Sequence, residues 1–212
     1  MSITKKPRDR ILDAADELFY ARGIHAVGID EIVARSGTAK TTLYAHFPSK
    51  DDLIAGYLRR RSEEWRQHLG EELARRGGTP VERIDAVFAV LAEGCASPGF
   101  RGCPFINATA EYPDPTHPGR VVADAHRQWV RDLLAGLAAD AGTAEPDALA
   151  GQLILLYDAA MVGTQFNPHG GAHASAREAA RTLVNAAVGP ASASDSMGSG
   201  HGAAQVARQT RS

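Results

Sequence analysis

The sequence predicts an all-α fold, and three observations support this. Apolar residues recur at helical spacing from residue 8 onward, and no segment alternates with the two-residue period of a strand. Glycine and proline interrupt the pattern at short intervals, as they do in connections between helices. The chain has 212 residues, of which 44% are hydrophobic, so it can bury a core without disulfides.

The first predicted helix covers residues 8–21. Its apolar face carries Ile11, Leu12, Ala15, Leu18 and Phe19. Its polar face, which we expect to lie in water, carries Arg10, Asp13, Asp16 and Glu17. Gly23 is a common signal for the end of a helix. The pattern therefore predicts an amphipathic helix that packs on one side only.

Two short helices follow, with a glycine between them. The periodicity predicts helices at residues 29–36 and 39–45, and Gly37 breaks the pattern between them. Pro48 ends the second of the two because proline cannot continue a helix. A helix, a tight glycine turn and a second helix together indicate a helix-turn-helix motif.

A fourth helix begins after Ser49, a favourable N-cap, and extends to about residue 76. Gly77, Gly78 and Pro80 then form a clear break. Five more helices are predicted at residues 80–96, 104–111, 118–141, 146–166 and 173–188. From Gly189 onward the composition offers almost nothing to bury, so we expect residues 190–212 to form a disordered tail.

Charge is distributed unevenly along the chain. The net charge is −2, but residues 1–61 hold 11 Lys and Arg against 8 Asp and Glu. The N-terminal part is therefore the part suited to a polyanion such as double-stranded DNA. No window is apolar enough to span a membrane, and the first residues lack the apolar stretch of a secretory signal. We expect a cytoplasmic protein without membrane contact.

The most informative segment is residues 37–53, which read Gly-Thr-Ala-Lys-Thr-Thr-Leu-Tyr-Ala-His-Phe-Pro-Ser-Lys-Asp-Asp-Leu. Leu43 and Phe47 are four residues apart, so they lie on one helix face and can anchor it. The remaining surface presents hydroxyl groups and a lysine, on Thr38, Lys40, Thr41 and Tyr44. Such side chains suit hydrogen bonds to phosphates and base edges in the major groove.

This segment resembles the DNA-binding region of the TetR family, which combines a glycine, a short polar stretch, Leu-Tyr-x-His-Phe and a lysine at the start of helix four. The similarity covers residues 8–54. It implies a set of DNA-contacting residues, which are Thr38, Lys40, Thr41, Thr42, Tyr44, His46 and Lys50. The resemblance to DNA-binding regulators is therefore most specific in the helix-turn-helix segment.

Within that set, the resemblance implies separate roles. Thr42 and Tyr44 bind backbone phosphates, and Lys40 and Thr41 approach bases. Lys50 binds a phosphate at the start of helix four, where the helix dipole and the free amides also favour an anion. Positioning and base readout would thus be divided along one short helix.

The resemblance also implies a domain organisation and a function. Residues 1–54 form the helix-turn-helix DNA-binding domain, residues 55–189 form a helical ligand-binding and dimerisation domain, and residues 190–212 are the tail. Such a protein is a repressor that binds a palindromic operator as a homodimer and needs no cofactor. A small-molecule effector releases it by favouring a dimer that no longer fits the operator. The effector itself is not implied.

Two positions depart from the family pattern. Gly28 stands where the family usually has a threonine cap, and Ala39 stands where it often has serine. Because alanine accepts no hydrogen bond, we expect Thr38 to cap helix three. His46 either contacts a phosphate or braces the helix, and residues 59–61, three arginines, are expected on an exposed face.

The resemblance places the dimer interface on the last two long helices, residues 146–166 and 173–188. An effector cavity would lie among the helices that precede them, since small-molecule sites are mostly apolar with a few polar groups. Candidate lining residues are Phe88, Leu91, Phe105, Trp129, Tyr157 and Met161. Each of them is also an ordinary core residue type.

Two alternatives stay open. Cys95 and Cys103 could sense oxidation within the same fold, by forming a disulfide or a sulfenic acid. His169 and His173, with Asp158 not far away, could hold a metal in a regulator or in a metal-dependent enzyme. The two histidines flank a pair of glycines rather than a helix face, and the motifs of zinc proteases and phosphate loops are absent from the sequence.

Overall fold

Helices make up most of the described chain. The computed structural model describes residues 5–189, and within them nine helices and no strand are present. The helices are α1 Pro7–Arg22, α2 Ile29–Ser36, α3 Lys40–His46, α4 Lys50–Arg76, α5 Pro80–Cys95, α6 Pro104–Glu111, α7 Pro118–Asp140, α8 Pro146–Phe166 and α9 Ala172–Val188. The all-α prediction is confirmed, and the predicted helix ends agree to within one residue.

Local capping explains where α4 and α5 begin. The Ser49 Oγ accepts the Asp52 amide at 3.0 Å, and the Thr79 hydroxyl accepts the Glu82 amide at 3.3 Å. The Glu82 carboxylate accepts the Thr79 amide in return, at 2.8 Å. The expected tail, residues 190–212, lies outside the described residues. None of the helices in the described part is both long and apolar enough to cross a bilayer.

The first three helices pack against one another at one end of a continuous hydrophobic core. Ile11, Ile32 and Leu43, one from each helix, are completely buried. Gly37 ends α2 with a φ of 62°, a left-handed conformation that glycine adopts without a steric penalty. This turn lets α3 cross α2 after only three residues, which is the helix-turn-helix geometry expected from the sequence.

Helix α4 is shared by the two parts of the chain. It continues without a break from Lys50 to Arg76, so the boundary expected between residues 54 and 55 falls inside one helix. Gly56 lies where α4 meets the ring of Phe47, and a Cβ at that position would be 2.8 Å from the ring. The absence of a side chain at Gly56 therefore permits Phe47, the residue that follows α3, to pack tightly on α4.

Two of the arginines in α4 face α1 rather than solvent. Arg60 pairs with Asp13 at 2.7 Å, and Arg61 pairs with Asp16 through two contacts of 2.5 and 3.1 Å. The expectation of an exposed face at residues 59–61 is therefore wrong for these two arginines, and their aspartates do not simply face water. Because α1 lies across α4, its polar edge meets the arginines and the two helices are joined by charge as well as by apolar contacts.

The C-terminal part is a bundle of α5, α7, α8 and α9 against the second half of α4, with α6 across α7. In its core the ring of Phe88 meets the ring of Tyr157 edge to face, with centroids 6.4 Å apart. Asp85 of α5 accepts hydrogen bonds from Arg177 and Arg181 of α9. These guanidinium groups hold the pKa of Asp85 well below its usual range, so the pair of helices is bridged by a stable carboxylate.

Candidate nucleic-acid interface and ligand cavity

Helix α3 is anchored by its apolar side and presents its polar side to solvent. Leu43 and Phe47 are buried, whereas Lys40, Thr41 and Tyr44 are exposed. The Tyr44 side chain is 41% exposed, although large aromatic side chains are usually more buried than this. The arrangement is the one that a recognition helix requires: fixed from behind and open towards the groove.

The other members of the predicted set lie at the edges of this surface. His46 is exposed, and Thr42 is half-buried. The Thr38 hydroxyl lies 2.8 Å from the Ser36 Oγ and does not cap α3, whose N-cap residue is Ala39 without any side-chain bond. The expectation that Thr38 replaces the missing cap is therefore wrong, because Ser36 in the turn already engages its hydroxyl.

Both predicted lysines have partners within the chain. Lys40 Nζ lies 2.7 Å from the carboxylate of Asp30 on α2, and this ion pair raises the pKa of Lys40. Lys50 Nζ donates to the carbonyl of Ile24 at 2.8 Å, in the turn between α1 and α2. In this structure Lys50 therefore supports the turn, a position that sequence reasoning did not suggest.

A cavity of about 1010 Å³ opens between the two parts of the chain. Side chains of α1 and α4 form one side, α5 and α6 with their connecting loop form another, and α7 and α8 close it. Its walls include Tyr20, Arg61, Glu64, Trp65, His68, Leu91, Cys95, Phe100, Cys103, Phe105, Ile106, Thr109, Arg120, Asp124, His126, Arg127, Val130, Ile154, Tyr157, Asp158 and Met161. The volume is that of a site for a drug-sized molecule.

Four of the six predicted lining residues are on this wall, which are Leu91, Phe105, Tyr157 and Met161. Phe88 is not, because its ring is 1% exposed and lies behind Tyr157 in the core. Trp129 is not either, because its ring lies under the guanidinium of Arg66, 4.8 Å away. Periodicity identified both as inward-facing but could not separate a cavity wall from solid core.

Sequence reasoning missed His126, a buried imidazole on the wall. Its ring stacks on Phe105 with centroids 3.7 Å apart, and its Nδ1 lies 2.9 Å from the Ser62 Oγ. Burial lowers the pKa of His126 to about 4, with the nearby Arg66 charge adding to the effect. The imidazole is therefore neutral at neutral pH. Its helical spacing on the inner face of α7 was the only signal available.

The loop before α6 connects the cavity to α1. The Tyr20 hydroxyl donates to the carbonyl of Gly102 at 3.0 Å and accepts the Arg101 amide at 2.8 Å. Tyr20 is itself on the cavity wall, as is Gly102. A change in the shape of this loop would therefore act directly on the first helix of the DNA-binding part.

The C-terminal end of α6 connects it to the turn between α1 and α2. The Glu111 carboxylate accepts the amides of Ile24 and His25 at 2.9 and 2.7 Å. The His25 ring stacks on Tyr112, and Tyr112 stacks on His117, with centroids 4.7 and 3.9 Å apart. The contacts of Glu111 and Tyr112 with residues 24 and 25 join positions more than 80 residues apart, so no local pattern in the sequence indicates them.

The two cysteines line the cavity as free thiols. Burial raises the pKa of Cys95 and of Cys103 to about 11 in each case. A thiol senses peroxide as its thiolate, and these pKa values make thiolate scarcer than in an ordinary cysteine. The surroundings of both thiols therefore give no support to the oxidation-sensing alternative.

The structure also gives no support to the metal-binding alternative. Asp158 pairs with Arg127 at 2.8 Å on the cavity wall, and His173 lies beside Thr164. His169 is exposed in the loop between α8 and α9. Within residues 5–189, no group of three or more His, Cys, Asp or Glu side chains is placed to hold a metal ion.

An all-helical chain with an exposed recognition helix and a cavity against it defines a helix-turn-helix transcriptional regulator. The family model of bacterial regulatory proteins of the tetR family matches residues 11–57. The crystal structure of SCO4454 from Streptomyces coelicolor, a TetR-family regulator, is 36% identical with a TM-score of 0.82, over 86% of this chain and 96% of that chain. The chain belongs to the TetR family, so it is a transcriptional regulator and not an enzyme.

Among curated relatives, the activator FasR of Mycolicibacterium smegmatis is 49% identical over 53 residues. That match spans 24% of FasR and 25% of this chain. The regulator YjdC of Escherichia coli is 25% identical over 71% of this chain and 79% of its own length. E. coli NemR in its reduced form, at 22% identity and a TM-score of 0.74, shares the fold.

Proposed function

We propose that this protein is a repressor that binds a palindromic operator as a homodimer in the cytoplasm and leaves it when a small molecule enters the cavity. The observation that carries the proposal is the position of the cavity. One wall belongs to α1 and α4, which hold the recognition helix, and the opposite wall belongs to α8. A molecule bound there would touch both parts of the chain at once.

In the proposed complex, α3 enters the major groove. Lys40 and Thr41 read base edges, and Thr42, Tyr44 and Lys50 hold phosphates. Lys40 would exchange its contact with the Asp30 carboxylate for a contact with DNA, at a cost that is small because both side chains are exposed. Thr38 and His46 lie beside this surface and complete the contact.

Exposed apolar side chains on α8 support the homodimer. Leu155 is 64% exposed and Phe166 is 88% exposed, and both lie on the helix that packs most extensively with α9. Large apolar side chains that remain in water commonly mark a protein interface. A second copy of the chain would cover them and present two recognition helices to the two halves of a palindrome.

Effector release is supported by the contacts that tie the cavity wall to the DNA-binding part. The Tyr20 bonds to the loop before α6 and the Glu111 bonds to the α1–α2 turn both begin on elements that line the cavity. A ligand that prefers a shifted α6 would move the α1–α2 turn with it. Release requires only that the ligand bind this shifted dimer more tightly than the DNA-bound one.

The test is a gel-shift titration of the purified protein against its own upstream intergenic DNA at two salt concentrations, with unrelated DNA as competitor. We expect a discrete complex that survives the competitor and weakens as salt rises. If the upstream DNA gives no such complex and the protein also selects no sequence from a randomised DNA pool, sequence-specific binding is refuted. A reporter under that promoter gives the sign of regulation, and loss of expression on deleting the regulator would contradict repression.

A matched pair of variants assigns the surface. Lys40→Ala removes one positive charge from α3, and Arg59→Ala removes one from the exposed side of α4. We expect Lys40→Ala to weaken the specific complex by roughly tenfold and Arg59→Ala to change it little. Equal effects would mean that overall charge, and not α3, determines binding.

A further inference from the structure

The polar groups of the cavity wall indicate what kind of molecule fits it. Much of the wall is aromatic, with the rings of Trp65, Phe100, Phe105 and Tyr157 and the neutral imidazole of His126. Flat rings pack well against flat rings, in stacked or edge-to-face arrangements. The shape and chemistry of the wall therefore favour a planar aromatic molecule over a flexible polar one.

The charges on the wall are already matched by opposite charges. Its three arginines each pair with a carboxylate, as Arg61 with Asp16, Arg120 with Asp124 and Arg127 with Asp158. Glu64 lies 3.7 Å from Arg60, and His68 is exposed to solvent. A charged ligand would find no free counter-charge among these groups and would have to give up its hydration. The wall therefore favours an uncharged ligand.

One buried donor on the wall, the indole N–H of Trp65, has no hydrogen-bond partner within residues 5–189. The hydroxyl of Tyr157 lies beside this N–H on the same wall; burial raises the pKa of the phenol, and the Trp65 N–H opposes that rise. A buried donor without an acceptor is costly, and a ligand oxygen would satisfy it.

We propose that the cavity binds an uncharged planar aromatic molecule with an acceptor oxygen such as a carbonyl, and that the Trp65 indole N–H and the adjacent Tyr157 hydroxyl donate the hydrogen bonds that orient it. This inference rests on the proposed function, because it names the class of the effector. Burial opposes ionisation of Tyr157, so its hydroxyl remains a donor throughout the physiological pH range.

The test uses three naphthalenes with the same 6-dimethylamino group, titrated into the full chain without DNA. One carries a 2-propionyl ketone, one a 2-propyl chain and one a 2-carboxylate. We expect the ketone to bind at one site per chain and at least tenfold more tightly than the carboxylate. Its emission in the complex should carry the red shift caused by a hydrogen bond to the carbonyl. This comparison on the wild-type protein depends on no variant.

Tyr157→Phe keeps the ring and removes the hydroxyl. We expect it to weaken ketone binding by roughly five- to tenfold, the effect of one neutral hydrogen bond, and to shift the bound emission to the blue. The propyl compound should bind both proteins equally. Tyr112→Phe is the matched control, because Tyr112 is outside the wall, and it should change neither binding nor emission.

Three results would overturn the proposal: no saturable binding of the ketone, a carboxylate that binds as tightly as the ketone, or a Tyr157→Phe variant that binds the ketone unchanged. These measurements are independent of the regulatory role, which gel shifts with added ligand test separately. The ketone could bind as expected while no uncharged aromatic ketone releases the protein from its operator. That result would refute effector release and leave the ligand class intact.

Discussion

Glu111 binds His25 at two points. Its carboxylate accepts the His25 backbone amide at 2.7 Å, and its own carbonyl accepts the His25 Nε2–H at 3.1 Å. The backbone amide of the neighbouring Ile24 donates to the same carboxylate, and the Ile24 carbonyl accepts a hydrogen bond from Lys50. The turn between α1 and α2 is therefore held from α6 on one side and from α4 on the other.

Glu111→Ala should loosen this turn. The substitution removes a carboxylate that accepts two backbone amides, and hydrogen bonds to a charged acceptor are each worth about 1.5–3 kcal/mol when they are shielded. Since Glu111 is half-exposed, we expect about 1–2 kcal/mol in total, seen as roughly tenfold faster amide exchange at Ile24 and His25. Effector-dependent release should weaken in the same variant.

Glu63→Ala is the control for that experiment. Glu63 is an exposed glutamate of α4 away from the cavity wall, so its removal should leave exchange in the turn unchanged. Unchanged exchange at Ile24 and His25 in Glu111→Ala would show that the turn does not depend on α6.

The two thiols should react slowly in the native protein. A pKa of about 11 in place of 9.0 lowers the thiolate fraction near neutral pH by roughly a hundredfold. We expect Cys95 and Cys103 to resist a disulfide reagent in buffer and to react fully in urea, with absorbance of the released thiol as the readout. Peroxide at concentrations that oxidise exposed thiols should leave DNA binding intact. Rapid native labelling, or loss of the DNA complex in peroxide, would restore the oxidation-sensing alternative.

His126 should make stability depend on pH. Burial lowers its pKa from 6.5 to about 4, so the unfolded chain takes up a proton at a higher pH than the folded chain. The stabilisation is complete above pH 6.5 and is lost as the pH falls towards 4. From the size of the shift, about 2–3 kcal/mol depends on this one group.

Urea unfolding of the wild type and of His126→Gln at pH 7.5 and pH 4.5 measures that contribution. The variant has no titrating group at this position, so its loss of stability on acidification should be smaller by about that amount. His169→Gln, a change in an exposed loop, should keep the wild-type pH dependence. Equal losses in the wild type and in His126→Gln would show that the buried imidazole is not the cause.

The exposed side chains of α8 should determine assembly. Leu155→Glu places a charge where the proposed dimer buries an apolar side chain, and Phe166→Glu does the same near the end of the helix. We expect each to raise the dimer dissociation constant by more than tenfold, measured by sedimentation. Val121→Glu is matched in exposure, at 53%, but lies on α7, and it should remain dimeric. Dimers of unchanged affinity in the two α8 variants would place the interface elsewhere.

Much of the architecture could be predicted because it depends on local rules. The glycine at 37, the cap at Ser49 and the four-residue spacing of Leu43 and Phe47 locate the motif without any knowledge of tertiary contacts. The arginines of α4 could not be predicted in this way, because their partners, the aspartates of α1, are determined by how the two helices pack. The partner of Thr38 is local, since Ser36 is two residues before it, but capping rules do not show which of two nearby groups a hydroxyl will bind.

The sequence by itself determined the helices, the order in which they occur and the exposed polar side of α3, because periodicity, caps and turns are properties of neighbouring residues. Only the tertiary structure decided which inward-facing side chains line a cavity and which are core. Phe88 and Tyr157 carry the same periodic signal, yet one ring fills the space behind the other. The difference arises from the packing of α5 against α8, which brings together residues about 70 positions apart, a separation that no local pattern can encode.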